Sequence, residues 1–122
     1  MRLIVLTLLC LFVCAVPAMA QGTVSNPTKY EFDPSVDHAA IDTYELAIFD
    51  LTDILVATLN IGKPAVEADG KCRGAINVQP IKFGEYVAKV RARAVSVFSP
   101  WSDPSNQWTR EPGKPGKPLI IK

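Results

Sequence analysis

The chain has 122 residues, and its 13 Lys and Arg against 12 Asp and Glu give a formal net charge of +1. A chain of this length is expected to form one domain. The near-neutral balance gives no reason to expect nucleic acid or an anionic membrane as the main partner.

The first twenty residues have the pattern of a cleavable signal peptide. Arg2 supplies a positive charge, and the apolar run that follows covers residues 3–16. Ala18 and Ala20 give the small-x-small pattern that precedes cleavage, which is predicted between Ala20 and Gln21. The apolar run is shorter than the ~20 residues that cross a bilayer, so a retained anchor is the weaker alternative. The mature protein is therefore predicted to be secreted or periplasmic, with no membrane span.

Cysteine usage changes when the signal peptide is removed. Cys10 and Cys14 lie in the apolar run and leave with it, so that Cys72 remains and no internal disulfide can form. Strand alternation puts Cys72 on the same face as Ile76 and Val78, which predicts a small buried side chain. An exposed thiol that forms an intermolecular disulfide is the alternative.

From 21 to 110 the sequence consists of short apolar runs separated by Pro, Gly and Asp turn signals. In the second run, Tyr44, Leu46 and Ile48 alternate with polar or small residues, which predicts a half-buried strand. Residues 50–59 could alternatively form an amphipathic helix. Six or seven short strands in one domain predict a β-sandwich. The predicted strands are 29–32, 43–49, 54–60, 72–78, 85–98 and 107–110.

Two adjoining segments near the end of this region carry a family resemblance. The segment Tyr-Val-Ala-Lys-Val-Arg-Ala-Arg at 86–93, followed by the Ser- and Pro-rich segment 98–105, resembles the sixth strand and following loop of fibronectin type III domains. Residues 44–48 are similar to the third strand of that family, and the resemblance covers about 25–110. It implies an all-β, immunoglobulin-like sandwich of about seven antiparallel strands. Tyr86 would then form a tyrosine corner with its hydroxyl on backbone.

The sequence Phe-Ser-Pro-Trp-Ser at 98–102 is similar to a Trp-Ser-x-Trp-Ser box in which Phe replaces the first Trp. In fibronectin-like domains of cytokine receptors, such a box stacks its aromatic rings between strand arginines. The resemblance implies a stack of Phe98 and Trp101 with Arg91 and Arg93, whose side chains point outward by alternation. Trp101 is expected to lie between the two guanidinium planes.

The first predicted strand departs from the family pattern. Residues 29–32 contain no tryptophan, where many members bury one. Tyr30 or Phe32 is expected to fill that space.

The C-terminal segment 111–122 differs in composition from the rest. Pro recurs every third residue at 112, 115 and 118, which places the three rings on one ridge of a polyproline II helix. The tail carries three Lys against one Glu, whereas 21–110 carries nine basic and eleven acidic residues. A stiff, solvated tail or linker is the simplest interpretation.

Two docking roles for the tail are alternatives. Lys114 and Lys117 are candidate contacts to an anionic surface, and residues 119–121 are an apolar segment that could add to a sheet edge. Trp108, near the end of the domain, is predicted either to pack in the core or to contact a protein or carbohydrate.

Catalytic and metal-binding functions have little support in the sequence. The single histidine, His38, lies in a predicted loop, and no G-x-S-x-G motif is present, so no enzyme activity is predicted. The oxygen ligands that Ca²⁺ prefers are available from four acidic residues, but their spacing matches no calcium loop. These residues are Glu31, Asp33, Asp37 and Asp42. No metal or cofactor is predicted.

The sequence therefore predicts an exported, non-catalytic and monomeric binding module for an unknown protein or glycan. A structural component that self-associates through its tail or a sheet edge is the alternative, and a small hydrolase is a third reading.

Overall fold

The computed structural model describes residues 23–122, so the predicted signal peptide and its cleavage site at Ala20 and Gln21 lie outside the described residues. The described chain is all-β apart from one 3-10 turn at His38–Ala40. No helix in this part of the chain is long and apolar enough to cross a membrane. The strands are β1 (Val24–Ser25), β2 (Lys29–Phe32), β3 (Thr43–Asp50), β4 (Leu55–Gly62), β5 (Cys72–Ala75), β6 (Gly84–Ala94), β7 (Val97–Phe98) and β8 (Trp108–Arg110).

The strands form two sheets of unequal width. The larger sheet has the order β1-β8-β6-β3-β4, and β7 pairs with the end of β6. The smaller sheet contains only β2 and β5, which are antiparallel. Apolar residues of the small sheet pack against the large one, an arrangement compatible with a β-sandwich.

The core lies between the sheets and follows the alternation of β3 and β6. Leu46 and Ile48 are buried with Tyr86 in the main cluster. A second cluster forms around Tyr44, whose ring centroid is 4.9 Å from that of Phe32 on the small sheet. The inward face that the sequence predicts for 43–49 is therefore confirmed in β3.

On the core side of β2, Tyr30 packs against the main cluster together with a glycine of β5. Tyr30 is paired with Gly74 on β5, and a Cβ added to Gly74 would lie 2.3 Å from the Tyr30 hydroxyl oxygen. The ring therefore lies across the neighbouring strand, where any side chain would collide with it. Burial raises the pKa of the Tyr30 hydroxyl.

Four details differ from the sequence-based expectations. The alternative helix at 50–59 is wrong, because β4 pairs along its length with β3. The strand predicted at 72–78 is β5 and ends at Ala75, because the Asn77 side chain accepts the backbone N–H of Gln79 in a turn. The strand predicted at 85–98 is two strands joined by a turn. The sheets are not wholly antiparallel, since the unpredicted β1 runs parallel to β8.

The turn between β6 and β7 contains a strained residue. Val95 has a φ of 58°, a left-handed conformation that is unusual for a β-branched side chain. The Asp42 carboxylate accepts the backbone N–H of Val95, and the Val95 carbonyl accepts the Arg93 Nε at 3.1 Å. These contacts hold the turn in a conformation that its side chain disfavours.

Candidate functional site

The stack predicted around the Phe-Ser-Pro-Trp-Ser box is assembled on the outer face of β6. The guanidinium carbon of Arg91 lies 3.8 Å from the Phe98 ring centroid and 4.3 Å from that of Trp101. The guanidinium carbon of Arg93 lies 5.6 Å from the Phe98 ring centroid. The order differs from the expectation, because Phe98 is the ring shared by the two arginines and Trp101 contacts Arg91 alone. The turn after β6 explains this, since β7 returns Phe98 directly opposite Arg93.

The stack continues onto β3. Trp101 meets Phe49 edge to face, with centroids 5.7 Å apart, and the Lys89 ammonium lies 4.6 Å from the Phe49 centroid. Glu45, directly opposite Arg91 on β3, accepts its Nε at 2.9 Å. Three cations and three rings therefore form one row along the outer face, in which Trp101 and Phe49 are adjacent rings; the order is Arg93, Phe98, Arg91, Trp101, Phe49 and Lys89. We call this row the cation–aromatic ladder.

Three serines attach the segment 99–105, which follows β7, to β6. The Ser99 backbone N–H donates to the Ala92 carbonyl at 2.8 Å, and the Ser99 hydroxyl accepts the Ala92 N–H at the same distance. Ser102 and Ser105 repeat this exchange two and four residues earlier on β6. Every third residue of the segment 99–105 thus pairs with every second residue of β6. The serine hydroxyls accept the β6 N–H groups that the carbonyls of a paired strand would otherwise accept.

Two other predicted structural residues lie at the end of the core. The Tyr86 hydroxyl donates to the Lys82 carbonyl at 2.7 Å, the backbone contact expected of a tyrosine corner. Trp108 is 5% exposed, and its ring centroid is 5.0 Å from that of Tyr86. Of the two predicted roles for Trp108, core packing is therefore confirmed and the alternative of a surface contact is wrong, because alternation in β8 turns its indole into the core.

Cys72 is fully buried, as alternation predicted. Its thiol lies 3.6 Å from the Pro64 carbonyl, and burial raises its pKa. The alternative of an exposed thiol is excluded by this burial.

Three of the four acidic residues considered for Ca²⁺, namely Glu31, Asp33 and Asp42, are engaged with other groups of the domain. Glu31 and Asp33 pair with Lys71, and Glu31 also accepts the Nε of Arg73 at 3.0 Å. Arg73 additionally pairs with Glu67 and Asp69, and these carboxylates raise its pKa. The Asp42 carboxylate accepts the backbone N–H of Val95 instead. The four candidates thus do not converge on one point.

His38 contacts the core rather than a cleft. Its Nδ1 lies 2.8 Å from the Tyr44 hydroxyl, which also accepts the Ser35 backbone N–H at 3.2 Å. The two rings stack with centroids 5.7 Å apart. This histidine fixes the loop before β3 to a buried tyrosine, and burial raises the pKa of the Tyr44 hydroxyl.

A cleft of about 850 Å³ lies between the small sheet and residues 102–106. Its volume falls in the range of small-molecule sites, which add a few convergent polar groups to apolar walls. Of the polar groups that line it, Arg73 pairs with Glu31 and Glu67, and the hydroxyls of Ser102 and Ser105 bond the β6 backbone. The apolar side chains that line it include Tyr30, Leu46, Ile76, Ala88, Val90 and Trp108.

The outer edge of β4 is a surface that sequence reasoning did not single out. β4 is the terminal strand of the large sheet, and among residues 23–122 no strand pairs with its outer side. Its eight residues, Leu-Val-Ala-Thr-Leu-Asn-Ile-Gly, include no charge and no proline. Natural edge strands usually carry such residues, which discourage pairing with other chains. The uncharged composition was the available signal, but edge position depends on the topology.

The hairpin before β4 extends this surface with exposed aliphatic side chains. Leu51, Ile54, Leu55 and Val56 are 43–61% exposed. One Asp50 carboxylate oxygen accepts the backbone N–H groups of Thr52 and Ile54 and the Thr52 hydroxyl, at 2.6–3.1 Å. These bonds lower the pKa of Asp50 and hold the hairpin in one conformation. We call the hairpin 51–54 and the open side of β4 together the β4 edge surface.

The candidate contacts of the tail are exposed. Lys114 and Lys117 project into solvent, as do Leu119, Ile120 and Ile121. The tail begins at a fixed point, because the Asn26 side chain accepts the Glu111 backbone N–H at 3.0 Å and donates to the Glu111 carbonyl at 3.1 Å.

No family model matches this chain, and no curated protein or solved structure does so either.

Proposed function

We propose that this chain is an exported, non-catalytic binding module of the fibronectin type III kind that binds a protein partner through the β4 edge surface. The observation that carries the proposal is an eight-residue, uncharged strand whose outer backbone groups have no strand partner in the described chain. An extended segment of a partner would add to this edge by backbone hydrogen bonds.

The fibronectin type III assignment has support from three features. The small sheet of two antiparallel strands faces a larger sheet in which β3 and β6 are central. Tyr86 bonds the backbone four residues earlier, as a tyrosine corner does. The cation–aromatic ladder has the composition that the Trp-Ser-x-Trp-Ser resemblance implies.

A protein partner fits the exposed side chains better than a glycan does. Both tryptophans are engaged within the domain, Trp101 in the ladder and Trp108 in the core. The hairpin instead presents aliphatic groups, which match apolar side chains of a polypeptide. A small-molecule function for the cleft has less support, because its serine hydroxyls are already bonded.

Export has its support in the sequence of residues 1–20. The non-catalytic character has support in His38, whose Nδ1 lies 2.8 Å from the Tyr44 hydroxyl and which does not line the 850 Å³ cleft. A general base in a catalytic site has to reach a substrate proton directly or through water.

Affinity capture from the medium and cell envelope of the native cell tests the proposal. The secreted full chain is compared with an edge variant, Val56→Lys/Thr58→Lys, since lysine on an edge strand discourages pairing. The matched control is Val36→Lys/Val97→Lys, which adds the same charge at two exposed valines away from β4. We expect wild type and control to retain the same partner and the edge variant to lose it. Equal capture by all three would rule out the β4 edge surface.

A further inference from the structure

We propose that the strand bound at the β4 edge surface comes from the C-terminal tail of a second copy of this chain. Residues 119–121 of one molecule would pair with β4 of the next, giving a head-to-tail assembly. This inference rests on the proposed function of the β4 edge surface and names its occupant.

The donor segment has the properties of an unpaired strand. Leu119, Ile120 and Ile121 are 82%, 90% and 79% exposed, although contiguous aliphatic residues are normally covered. β-Branched residues such as the two isoleucines favour extended backbone. Residues 119–121 therefore form a short apolar segment that the rest of residues 23–122 leaves uncovered.

Side-chain alternation fits the donor to the acceptor. In β4, the residues Ala57, Leu59 and Ile61 face the core side but are only partly buried, because the two-stranded sheet does not cover the edge. A donor strand would place residues 119 and 121 on one face, two positions apart. That face would extend the apolar row of β4 and cover it.

The structure leaves the donor segment off its own edge, since residues 119–121 are exposed and no strand pairs with the outer side of β4 in the described chain. Residues 111–118 in polyproline II conformation span about 25 Å, and Asn26 fixes where they leave the domain. The tail leaves the domain at β8. In the large sheet, β8 lies three strand positions from β4, which is about 14 Å. Each copy thus offers an unpaired donor and an unpaired acceptor on different parts of its surface, which is the arrangement that a head-to-tail contact requires.

The tail and the rest of the mature chain carry net charges of opposite sign. Residues 21–110 carry nine basic and eleven acidic side chains, whereas 111–122 carries three Lys against Glu111. The tail is therefore net +2 and the domain net −2, so that a tail is attracted to another domain at low salt. A three-residue strand buries far less than the ~1,200 Å² of a stable interface. We therefore expect monomers in dilute solution and assembly at high concentration.

Sedimentation of the secreted full chain over a range of concentrations tests this inference. The donor variant is Ile120→Pro, because proline removes a backbone donor from the added strand. The acceptor variant is the edge variant Val56→Lys/Thr58→Lys, and the control is again Val36→Lys/Val97→Lys. We expect wild type and control to form species larger than dimers as concentration rises, and each of the two test variants to remain monomeric.

An equimolar mixture of donor and acceptor variants separates the tail–edge junction from other contacts. The tail of the acceptor variant can still enter the intact edge of the donor variant, so we expect a 1:1 complex and nothing larger. A synthetic peptide of residues 111–122 should dissolve the wild-type assembly. Thermal melting of each variant checks folding, and Thr58→Lys alone replaces the double variant if the latter melts early.

Three results would overturn the inference. Wild type could remain monomeric at every concentration, Ile120→Pro could assemble as wild type does, or the mixture could form no complex. Assembly that is lost only in the edge variant would mean that β4 pairs with another β4. In each case, loss of a different protein by the edge variant in the capture experiment would leave the proposed function standing.

Discussion

Arg91 stacks on Trp101 at 4.3 Å and simultaneously bonds Glu45 on the neighbouring strand at 2.9 Å. One guanidinium thus joins the loop after β7 to both central strands of the large sheet. Because Arg91 also lies 3.8 Å from the Phe98 ring centroid, it is the cation of the ladder that contacts two rings. The ladder is therefore expected to stabilise the domain.

Trp101→Ala should lower the free energy of unfolding by roughly 1–3 kcal/mol, through lost cation–π contact and lost cover over Phe49. Arg91→Lys should lose part of that amount, since an ammonium cannot stack flat between two rings. Arg93→Lys is the matched control and should cost less, because Arg93 stacks on one ring, Phe98, at 5.6 Å, and its other bond is to the Val95 carbonyl of the exposed turn. Denaturant titration measures all three. A wild-type midpoint for Trp101→Ala would instead identify a free contact residue on a loop.

The serine attachments of 99–105 should contribute unequally. Ser99→Ala leaves the partly buried Ala92 N–H without its acceptor, so we expect a loss of about 1 kcal/mol. Ser105→Ala exposes the Ala88 N–H to water, which can replace the hydroxyl, and should cost less. Thermal melting compares the two variants. Equal losses would show that the serine hydroxyls do not act through backbone pairing.

The sequence predicts those parts of the fold that depend on local pattern. Alternation at Tyr44, Leu46 and Ile48 identifies β3 and its buried face, and the spacing of Arg91 and Arg93 identifies the cations of the ladder. Alternation does not tell which ring lies between them, because that depends on the β6–β7 turn. Val95 conceals this turn, since a β-branched residue signals strand rather than left-handed backbone.

The candidate binding surface follows from topology, which local pattern does not contain. Residues 54–60 read as a strand, but its place at the edge results from the pairing of β3 with β6 on its other side. The serine attachments had a visible signal in the three-residue spacing of Ser99, Ser102 and Ser105. That spacing alone does not predict the attachments, because they also depend on the two-residue spacing of the β6 residues that the serines bond.

Val95→Gly should stabilise the domain by about 0.5–1 kcal/mol. Glycine adopts the φ of 58° without strain, and Val95 is 81% exposed, so little packing is lost. Val97→Gly, in the adjoining strand, is the control and should destabilise. The melting temperatures decide between relief of strain and a general effect of glycine.

Burial of Cys72 should make stability fall at alkaline pH. Its pKa is raised in the folded state, so the unfolded chain loses the thiol proton first as pH rises past about 9. The unfolded state then binds fewer protons, and the free energy of unfolding decreases with pH. Tyr30 and Tyr44, whose pKa values are also raised, add to this only above about 10.

Cys72→Ala should remove the part of this decline that begins near pH 9, at a constant cost for the lost side chain. Wild-type protein should also react slowly with a thiol reagent when native and fully when unfolded. Rapid native labelling, or the same alkaline decline in Cys72→Ala, would show that the thiol is accessible or does not control the pH dependence.

Amide hydrogen exchange, read residue by residue on the secreted full chain, tests the binding role of the β4 edge surface most directly. In dilute, unbound protein the amides of β4 that point away from β3 should exchange quickly, whereas those of the central strands β3 and β6 are protected. With the partner bound, or at concentrations where copies associate, protection should appear along 55–62 and at the hairpin. Protection confined to the cleft or the ladder, with β4 unchanged, would contradict the account.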